Sequence, residues 1–407
     1  MDFFYLHRQG SKLDWAILFL NEVQQFNLII IRPQEIRTGC GIIFAISKKN
    51  LIFMWVTVMR SKTLIRWIIL FFLFSGYVFA GNTVLNSASY IKMPSPYEPG
   101  GQYVHPSIVK FTEPWHGYLY WMAATPYPGA DASKENPVIL ASNDGVNWDF
   151  KVIVDESGLY EPYSSDPCLV FDGEQLWLYW RYLGSEPAPQ RIYRSRSADG
   201  VAWQPKELVL EDVRESMCSP SIFRMGGTWY LYYSDPDGRI YRRVSDNGLN
   251  WGEKVPQNLL LDANENFMMK TVKNTHVEVR ETRTGLLMIV MGDSLKHGMN
   301  LYLFSGLAGS PDWYGGFEPL IKVAPGSWDG FSLYKASFLV EETADTGSKL
   351  PPKLRIWYSA YRMNPVVFHI GYTESFTERW YFDYNLESNP WRYQDQGLAF
   401  MGHPNAE

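Results

Sequence analysis

The sequence contains few cysteines and no excess of basic residues. Only 3 of its 407 residues are cysteine, too few for a scaffold held together by disulfide bonds. Cys168 and Cys218 each stand at the start of a predicted strand, and we expect buried thiols rather than a disulfide pair. The 37 Lys and Arg residues against 43 Asp and Glu residues give a net charge of −6. An acidic chain repels polyphosphate, so no nucleic-acid partner is expected.

The chain also lacks an apolar run long enough for a membrane anchor, although it has a shorter one. A basic segment, MRSKTLIR at 59–66, precedes the apolar run 67–77, and the small-residue signal VFA follows at 78–80. This succession is typical of a secretory signal peptide cut after Ala80, whereas a transmembrane anchor needs about 20 apolar residues. We therefore expect residues 1–58 to be an upstream or non-native extension and 59–80 a signal peptide. Residues 81–407 would then be a secreted or periplasmic protein with no stable membrane span.

No segment has the periodicity of a long helix, and a turn motif recurs instead. It reads SNDGVNW at 142–148, SADGVAW at 197–203 and SDNGLNW at 245–251. The Asp or Asn side chain bonds its own backbone, Gly adopts a positive φ and Trp closes the junction. A spacing of about 50 residues is the length of a four-stranded propeller blade.

Short strands with alternating apolar residues fill the space between these turns. Each repeat opens beside a proline, as VHPSIV at 104–109, SDPCLV at 165–170 and CSPSIF at 218–223, and an aromatic strand follows. Two weaker copies end near Trp313 and Trp380. The pattern predicts an all-β, five-bladed β-propeller with four-stranded antiparallel blades at 102–150, 163–204, 215–253, 272–314 and 332–380. We expect a monomer, whose ring is closed by the tail after Trp380 and the segment before Gln102.

These motifs resemble the five-bladed β-propeller glycoside hydrolases, typified by families 43, 32, 62, 117 and 130. The resemblance implies a glycosidase that acts on a polysaccharide or oligosaccharide by general acid/base hydrolysis, with no cofactor. Sialidases carry a similar turn with one more residue between Asp and Gly, but they have six blades, so they rank second.

In the resembled family, carboxylates at the starts of the first three inner strands carry the chemistry, because glycoside cleavage needs a pair of acids. The matching positions here are His105, Asp166, and Cys218 or Ser219, of which only Asp166 keeps a carboxylate. Another acid must therefore serve. We expect Glu135 from a blade-one loop, with Glu215 as the alternative, and we expect His105 to orient water or a sugar hydroxyl.

The loops between the second and third strands return to the same mouth, so they and the inner strands supply the remaining candidates. The predicted substrate-binding residues are Tyr127, Asn136, Arg181, Ser219, Asp235, His276, Glu278, Asp293, Lys335 and Arg362. The basic members would make the funnel positive and favour an anionic substrate group. No spacing matches a recognised metal motif, so no metal site is predicted, although His276 and Glu278 share a strand face that a single cation in the channel would suit.

The missing carboxylates leave other functions open. A non-catalytic glycan-binding propeller would keep the aromatic mouth without hydrolysis, and a family 130-like phosphorylase would use the basic residues to receive phosphate. Purely structural roles also exist, since Asp166 resembles a strand cap and Glu135 precedes a turn.

Overall fold

The structure is a computed structural model of the chain. The chain forms two compact units, Met1–Gly81 and Asn82–Glu407. The structure describes residues 86–155, 163–183, 189–212, 217–260, 275–283, 285–294, 298–315, 319–341 and 353–374, and the backbone of a few further short strands. The first unit contains an antiparallel sheet of β1 (Phe26–Ile29), β2 (Cys40–Ser47) and β3 (Leu51–Thr57). Residues 59–80 lie outside the described part, so signal-peptide cleavage stays a prediction. None of the helices described is long and apolar enough to cross a bilayer.

Five mainly antiparallel blades make up the second unit, and they confirm the predicted propeller. Blade one contains β4 (Tyr103–Trp115), β5 (Tyr118–Pro126), β6 (Val138–Ser142) and β7 (Asp149–Ile153), with short 3-10 helices at Pro128–Ala130 and Ala132–Lys134. Blade two contains β8 (Tyr163–Phe171), β9 (Leu176–Leu183), β10 (Gln190–Ser197) and β11 (Glu207–Asp212). Blade three contains β12 (Cys218–Met225), β13 (Thr228–Ser234), β14 (Ile240–Ser245) and β15 (Val255–Pro256).

The later blades are less regular. The blade-four sheet contains β16 (Asn258–Leu260), β17 (Met269–Lys270), β18 (Val277–Thr282), β19 (Gly285–Ser294), β20 (Gly298–Gly306) and β21 (Asp312–Gly315). Blade five contains β22 (Ser332–Glu341), β23 (Lys353–Arg362) and β24 (Val367–Glu374). The tail forms its own sheet of β25 (Trp380–Asp383), β26 (Arg392–Asp395) and β27 (Leu398–Ala399).

The segment before Gln102 closes the ring by pairing with blade five. Tyr90 bridges Gly371 in antiparallel register, and the Ile91 amide donates to the Ile370 carbonyl at 2.8 Å. The expectation for this segment is confirmed, whereas the tail strands pair among themselves.

The repeated turn has the hydrogen bonds that its sequence predicts. In the first copy, Asp144 Oδ1 accepts from the amides of Val146 and Asn147 at 2.8 and 2.7 Å, and the Gly145 amide donates to Ser142 Oγ at 2.9 Å. Burial alone would raise the pKa of Asp144, but the hydrogen bonds from Asn147, Val146 and Ser142 lower it to about 2. The carboxylate therefore holds the turn as an anion.

Each turn packs its glycine against an aromatic residue of a second strand. The Trp357 indole donates to the Gly145 carbonyl at 2.7 Å, and a Cβ on Gly200 would overlap the Trp121 ring. The turn of one blade therefore locks onto the blade before it. Of the three motif tryptophans, only Trp148 is buried, at 6% exposure, while the other two are half-buried. The half-buried indoles at 203 and 251 still pack against the core.

The inner strands are joined by side chains that accept a backbone hydrogen bond from the next blade. These bonds are Leu169 N to Ser107 Oγ (2.9 Å), Ile222 N to Cys168 Sγ (3.1 Å), Val279 N to Ser221 Oγ (2.9 Å) and Ile108 N to Ser337 Oγ (3.1 Å). A buried thiol thus takes the place of a serine at Cys168. In this part of the chain, Cys168 and Cys218 are both buried and outside any disulfide, as expected.

Candidate active site

Four of the five blades have a bulge at the start of the inner strand. The strand register shifts at Val104/Ser107, Ser165/Cys168, Cys218/Ser221 and Leu333/Ala336. Within the first three shifts stand His105, Asp166 and Ser219, with φ of 53°, 52° and 55°. Left-handed backbone at a non-glycine residue costs free energy and is found mainly at functional sites.

The inter-blade hydrogen bonds extend this equivalence to the remaining blades. The Val279 amide donates to Ser221 in the same way as the Ile222 amide donates to Cys168, so Val279 is equivalent to Ile222. His276, three residues before Val279, is therefore equivalent to Ser219. Ser337 corresponds to Ser107 in the same way, which sets Lys335 at the position of His105 in blade five. One residue from each blade therefore forms a ring at the mouth.

Three members of this ring form a buried cluster of potential metal ligands. His105, Asp166 and His276 each offer one ligand atom, and these atoms lie within 4.8 Å of one another. His105 Nε2 and Asp166 Oδ1 are 2.9 Å apart. These two atoms are each other's partners, whereas His276 Nε2 has no hydrogen-bond partner among the described residues. Buried polar atoms seldom stay unpaired, so His276 Nε2 beside the His105–Asp166 pair indicates a place for a cation.

The surroundings of Asp166 leave one of its oxygens available. Oδ2 accepts from the Ser219 amide at 3.1 Å and from Arg181 at 3.3 Å, and the Cys218 thiol lies 3.6 Å away. Burial would raise the pKa of Asp166, but His105, Arg181 and His276 together hold it well below its usual range. Asp166 is therefore an anion that presents Oδ1.

The hydrogen bonds of His105 orient its ring, and burial keeps His276 in a form that can bind a cation. His105 Nδ1 contacts Thr125 Oγ1 at 3.3 Å and Ser165 Oγ at 3.4 Å, which leaves Nε2 facing Asp166. Burial lowers the pKa of His276 well below its usual value, and the charges of His105 and Lys335 add to the effect. A neutral imidazole is the form that ligates metals.

Glu135, at the end of the second 3-10 helix, is close enough to the cluster to interact electrostatically with His105 and Asp166. Its pKa is raised, chiefly by burial and further by the charge of Asp166, against a hydrogen bond with Ser165 and the charges of His105 and Arg181. The site thus holds two carboxyl groups whose pKa values are displaced in opposite directions. This is an arrangement in which one group stays charged and the other can exchange a proton.

Tyr334 is a site residue that the sequence reasoning missed. Its ring centroid lies 4.0 Å from that of His276 and 5.2 Å from that of His105. Burial raises the pKa of its phenol well above the usual value, and Asp166 adds to the effect. Its position next to Lys335, within the blade-five bulge, was the sequence feature that could have identified it as a site residue.

Four more of the predicted site residues have defined contacts or burial in the structure. Arg181 and Ser219 contact Asp166, and Tyr127 packs on Phe368 at the mouth with ring centroids 4.8 Å apart. Asn136 is buried, with its amide 3.4 Å from the Tyr97 hydroxyl.

Three further predicted residues occupy a turn or a strand end. Asp235 accepts from the amides of its own turn, 237 and 239, at 2.9 and 2.8 Å. Asp293 is half-buried near the end of β19, and Arg362 is exposed at the end of β23. Glu215 lies outside the described residues.

The funnel is not the positive surface that we expected. Arg181 is paired with Asp166, and Lys335 Nζ lies 3.6 Å from Glu278 Oε2, deeper in the channel. Glu278 is also paired with Arg280 and accepts from Ser337 at 3.3 Å. Since these cations have carboxylate partners, the expectation of an anionic substrate group loses its support.

Comparison with known proteins supports this fold. No family model matches the chain. It is 28% identical over 318 residues to the A type blood N-acetyl-α-D-galactosamine deacetylase of Flavonifractor plautii, covering 64% of this chain and 40% of that protein. The chain therefore spans about two fifths of that relative's length. The crystal structure of an N-acetylgalactosamine deacetylase from F. plautii with blood group B trisaccharide matches with a TM-score of 0.59 and 24% identity, over 72% of this chain and 95% of that one.

A glycosidase has a similar backbone. The family 62 α-L-arabinofuranosidase catalytic domain of Coprinopsis cinerea matches with a TM-score of 0.52 and 13% identity, over 72% of this chain and 97% of that one. The fold is that of the five-bladed glycoside-hydrolase propellers. The predicted resemblance is thereby confirmed for the fold, and one relative shows that a deacetylase uses it too.

Proposed function

We propose that this propeller is a metal-dependent carbohydrate deacetylase, which hydrolyses the N-acetyl group of an amino sugar. The observation that carries the proposal is the buried cluster of His105, Asp166 and His276, whose ligand atoms lie within 4.8 Å of one another and in which His276 Nε2 has no hydrogen-bond partner among the described residues. Two histidines and one carboxylate form a ligand set suited to a divalent transition metal. The match to a deacetylase supports the same reaction class.

The side chains present suit hydrolysis of an amide. A divalent ion at this cluster would polarise the acyl oxygen and activate water. Asp166 is fixed through Oδ2 by Arg181 and the Ser219 amide, so Oδ1 stays aimed at the cluster. Glu135, with its raised pKa, takes a proton from the attacking water and returns it to the departing nitrogen. The C–N bond breaks, a C–O bond forms, and acetate and a free amine result.

The proposed substrate combines the relative's name with the residues at the mouth of the site. The relative's name gives an A-type blood N-acetyl-α-D-galactosamine, and the neutral, aromatic mouth formed by Tyr127, Tyr334 and Phe368 suits an uncharged sugar. We propose a terminal N-acetylhexosamine as substrate, in a secreted or periplasmic setting.

Glycoside hydrolysis is the second candidate, and one observation favours it. Asp166 and Glu135 have pKa values displaced in opposite directions, which is the pattern of a glycosidase acid pair. Against it, Asp166 Oδ1 faces His105 Nε2 at 2.9 Å rather than open space. The binding-only and phosphorylase alternatives have no comparable support, since the basic residues Arg181 and Lys335 are already paired.

One set of variants separates these functions. We expect purified protein to contain about one divalent ion per chain by elemental analysis, and to release acetate but no reducing sugar from an N-acetylhexosaminide. Asp166→Asn and His276→Ala should each lose the ion and at least a hundredfold of the acetate release. Asp199→Asn is the matched control, because its carboxylate lies in an outer turn, where the third repeat carries asparagine. Metal-free wild-type protein with full activity would contradict the proposal, and release of reducing sugar would favour the glycosidase.

A further inference from the structure

The thiol of Cys218 lies between two residues of the candidate cluster. Its Sγ is 3.6 Å from Asp166 Oδ2 and 4.0 Å from Nδ1 of His276. The side chain is 1% exposed, at the start of β12. The residues on either side of it, Met217 and Ser219, both have left-handed backbone, with φ of 43° and 55°. Such strain is found mainly at functional sites, and here it accompanies a thiol that contacts side chains from blades two and four.

A serine has a similar place one blade earlier. Ser165 stands directly before Asp166, and its Oγ contacts His105 Nδ1 at 3.4 Å. Cys218 stands directly before Ser219 in the same way, and it contacts Asp166. In blades two and three, the residue before the bulge residue therefore contacts the cluster residue of the preceding blade. Cys218 occupies a position from which the fold supports the cluster.

The number of available hydrogens sets the direction of the bonds at Cys218. A thiol has one hydrogen to donate, and its sulfur can accept one. Asp166 Oδ2 already accepts from Arg181 and from the Ser219 amide, and an ionised carboxylate has no hydrogen to give. The thiol hydrogen therefore points to Asp166, the nearer neighbour. The sulfur is left to accept from His276 Nδ1.

This bond determines which nitrogen of His276 carries the hydrogen. Among the described residues, Cys218 Sγ is the hydrogen-bond partner of Nδ1, and Nε2 has none. With the hydrogen on Nδ1, the lone pair is on Nε2, the atom beside the His105–Asp166 pair. A ring nitrogen binds a cation through its lone pair, so the other tautomer could not bind one at Nε2.

We propose that Cys218 is a positioning residue of the candidate active site, which holds His276 in the tautomer with hydrogen on Nδ1 and holds Asp166 in place, so that both bind the ion. An outer partner that fixes the tautomer of a histidine ligand is a regular part of metal sites. A neutral partner suits this place, because a carboxylate here would lie against Asp166 and repel it. The inference rests on the proposed function for the ion, whereas the tautomer is a property of the metal-free protein.

The test measures the tautomer and the ion separately. Nitrogen NMR of the metal-free full chain, with isotope-labelled histidine rings, reports which ring nitrogen carries hydrogen, and His276→Gln assigns the signal. Wild type should carry it on Nδ1. Cys218→Ala should give a mixture of both tautomers and bind Zn²⁺ about tenfold more weakly, as expected for loss of such a partner. Cys218→Ser, whose hydroxyl also donates once and accepts, should restore both properties.

Cys168→Ala is the matched control, because Cys168 is also a buried thiol of an inner strand but bonds the Ile222 amide instead of the cluster. It should lower stability without changing the tautomer or the Zn²⁺ affinity. Hydrogen on Nε2 in metal-free wild type overturns the inference, as does an unchanged tautomer in Cys218→Ala.

Two further outcomes separate this inference from its alternatives. A Cys218→Ser protein that keeps the tautomer but binds Zn²⁺ as weakly as Cys218→Ala would make the thiol a ligand itself and overturn the positioning role. If wild type binds no divalent ion, the deacetylase proposal fails, and the tautomers of wild type and Cys218→Ala still decide whether Cys218 orients His276. If Cys218→Ala does not fold, the tautomer of wild type decides.

Discussion

Replacing Gly200 with alanine tests how neighbouring blades lock together. Gly200 has a φ of 77°, and left-handed backbone costs a residue with a Cβ about 1–2 kcal/mol. The new methyl group would also overlap the ring of Trp121, which is 1% exposed and has no room to move away. Overpacking of a core costs about 1–3 kcal/mol. The two effects together predict a loss of about 2–5 kcal/mol in the free energy of unfolding.

Gly117→Ala is the matched control for this prediction. Gly117 has a φ of 86°, but no atom lies within 4 Å of a Cβ built on it. It therefore carries the backbone cost without the overlap. Urea unfolding followed by tryptophan fluorescence should show a larger loss for Gly200→Ala than for Gly117→Ala. Equal losses would refute the view that the turn locks onto the preceding blade.

Three further predictions concern stability. The pKa of Asp144 is about 2 in the folded protein, below its value in the unfolded chain. Its contribution to the free energy of unfolding is therefore present above about pH 4 and is lost as the pH falls toward 2. Asp144→Asn should flatten the dependence of the urea midpoint on pH between about pH 2 and 5, and an unchanged slope would contradict this. Cys168→Ala leaves the Ile222 amide without its acceptor and should cost about 1–3 kcal/mol, whereas Cys168→Ser should be close to wild type in the same assay. Trp148→Ala should cost about 3–5 kcal/mol, and half-buried Trp251 should cost clearly less on truncation, so equal losses would be inconsistent with their different burial.

The repeats made most of the fold predictable. Each copy of the turn needs its own hydrogen bonds and its own glycine, so the chemistry of one blade can be recognised locally and counted. The prolines after His105, Asp166 and Ser219 marked the starts of three inner strands in the same way.

The candidate cluster was less predictable because nothing local defines it. Its ligands come from blades one, two and four, so no short spacing in the sequence brings His105, Asp166 and His276 together. Blade four has no proline at its strand start, and the period-two pattern did not show which polar residue stands at the mouth. That choice depends on the bond from Val279 to Ser221, a contact between blades. The raised pKa of Glu135 likewise depends on burial by a folded loop.

Closure of the ring by residues 90 and 91 has a consequence for synthesis. The Ile91 amide meets its partner only after Ile370 has been made, and at about 5–20 residues per second that interval is on the order of tens of seconds. Until then the first segment and the edge of β23 that later pairs with β24 are both unpaired strand edges, which associate readily with other chains. The nascent protein is therefore most prone to aggregate at the end of translation, when four blades have formed and the fifth lacks its last strand.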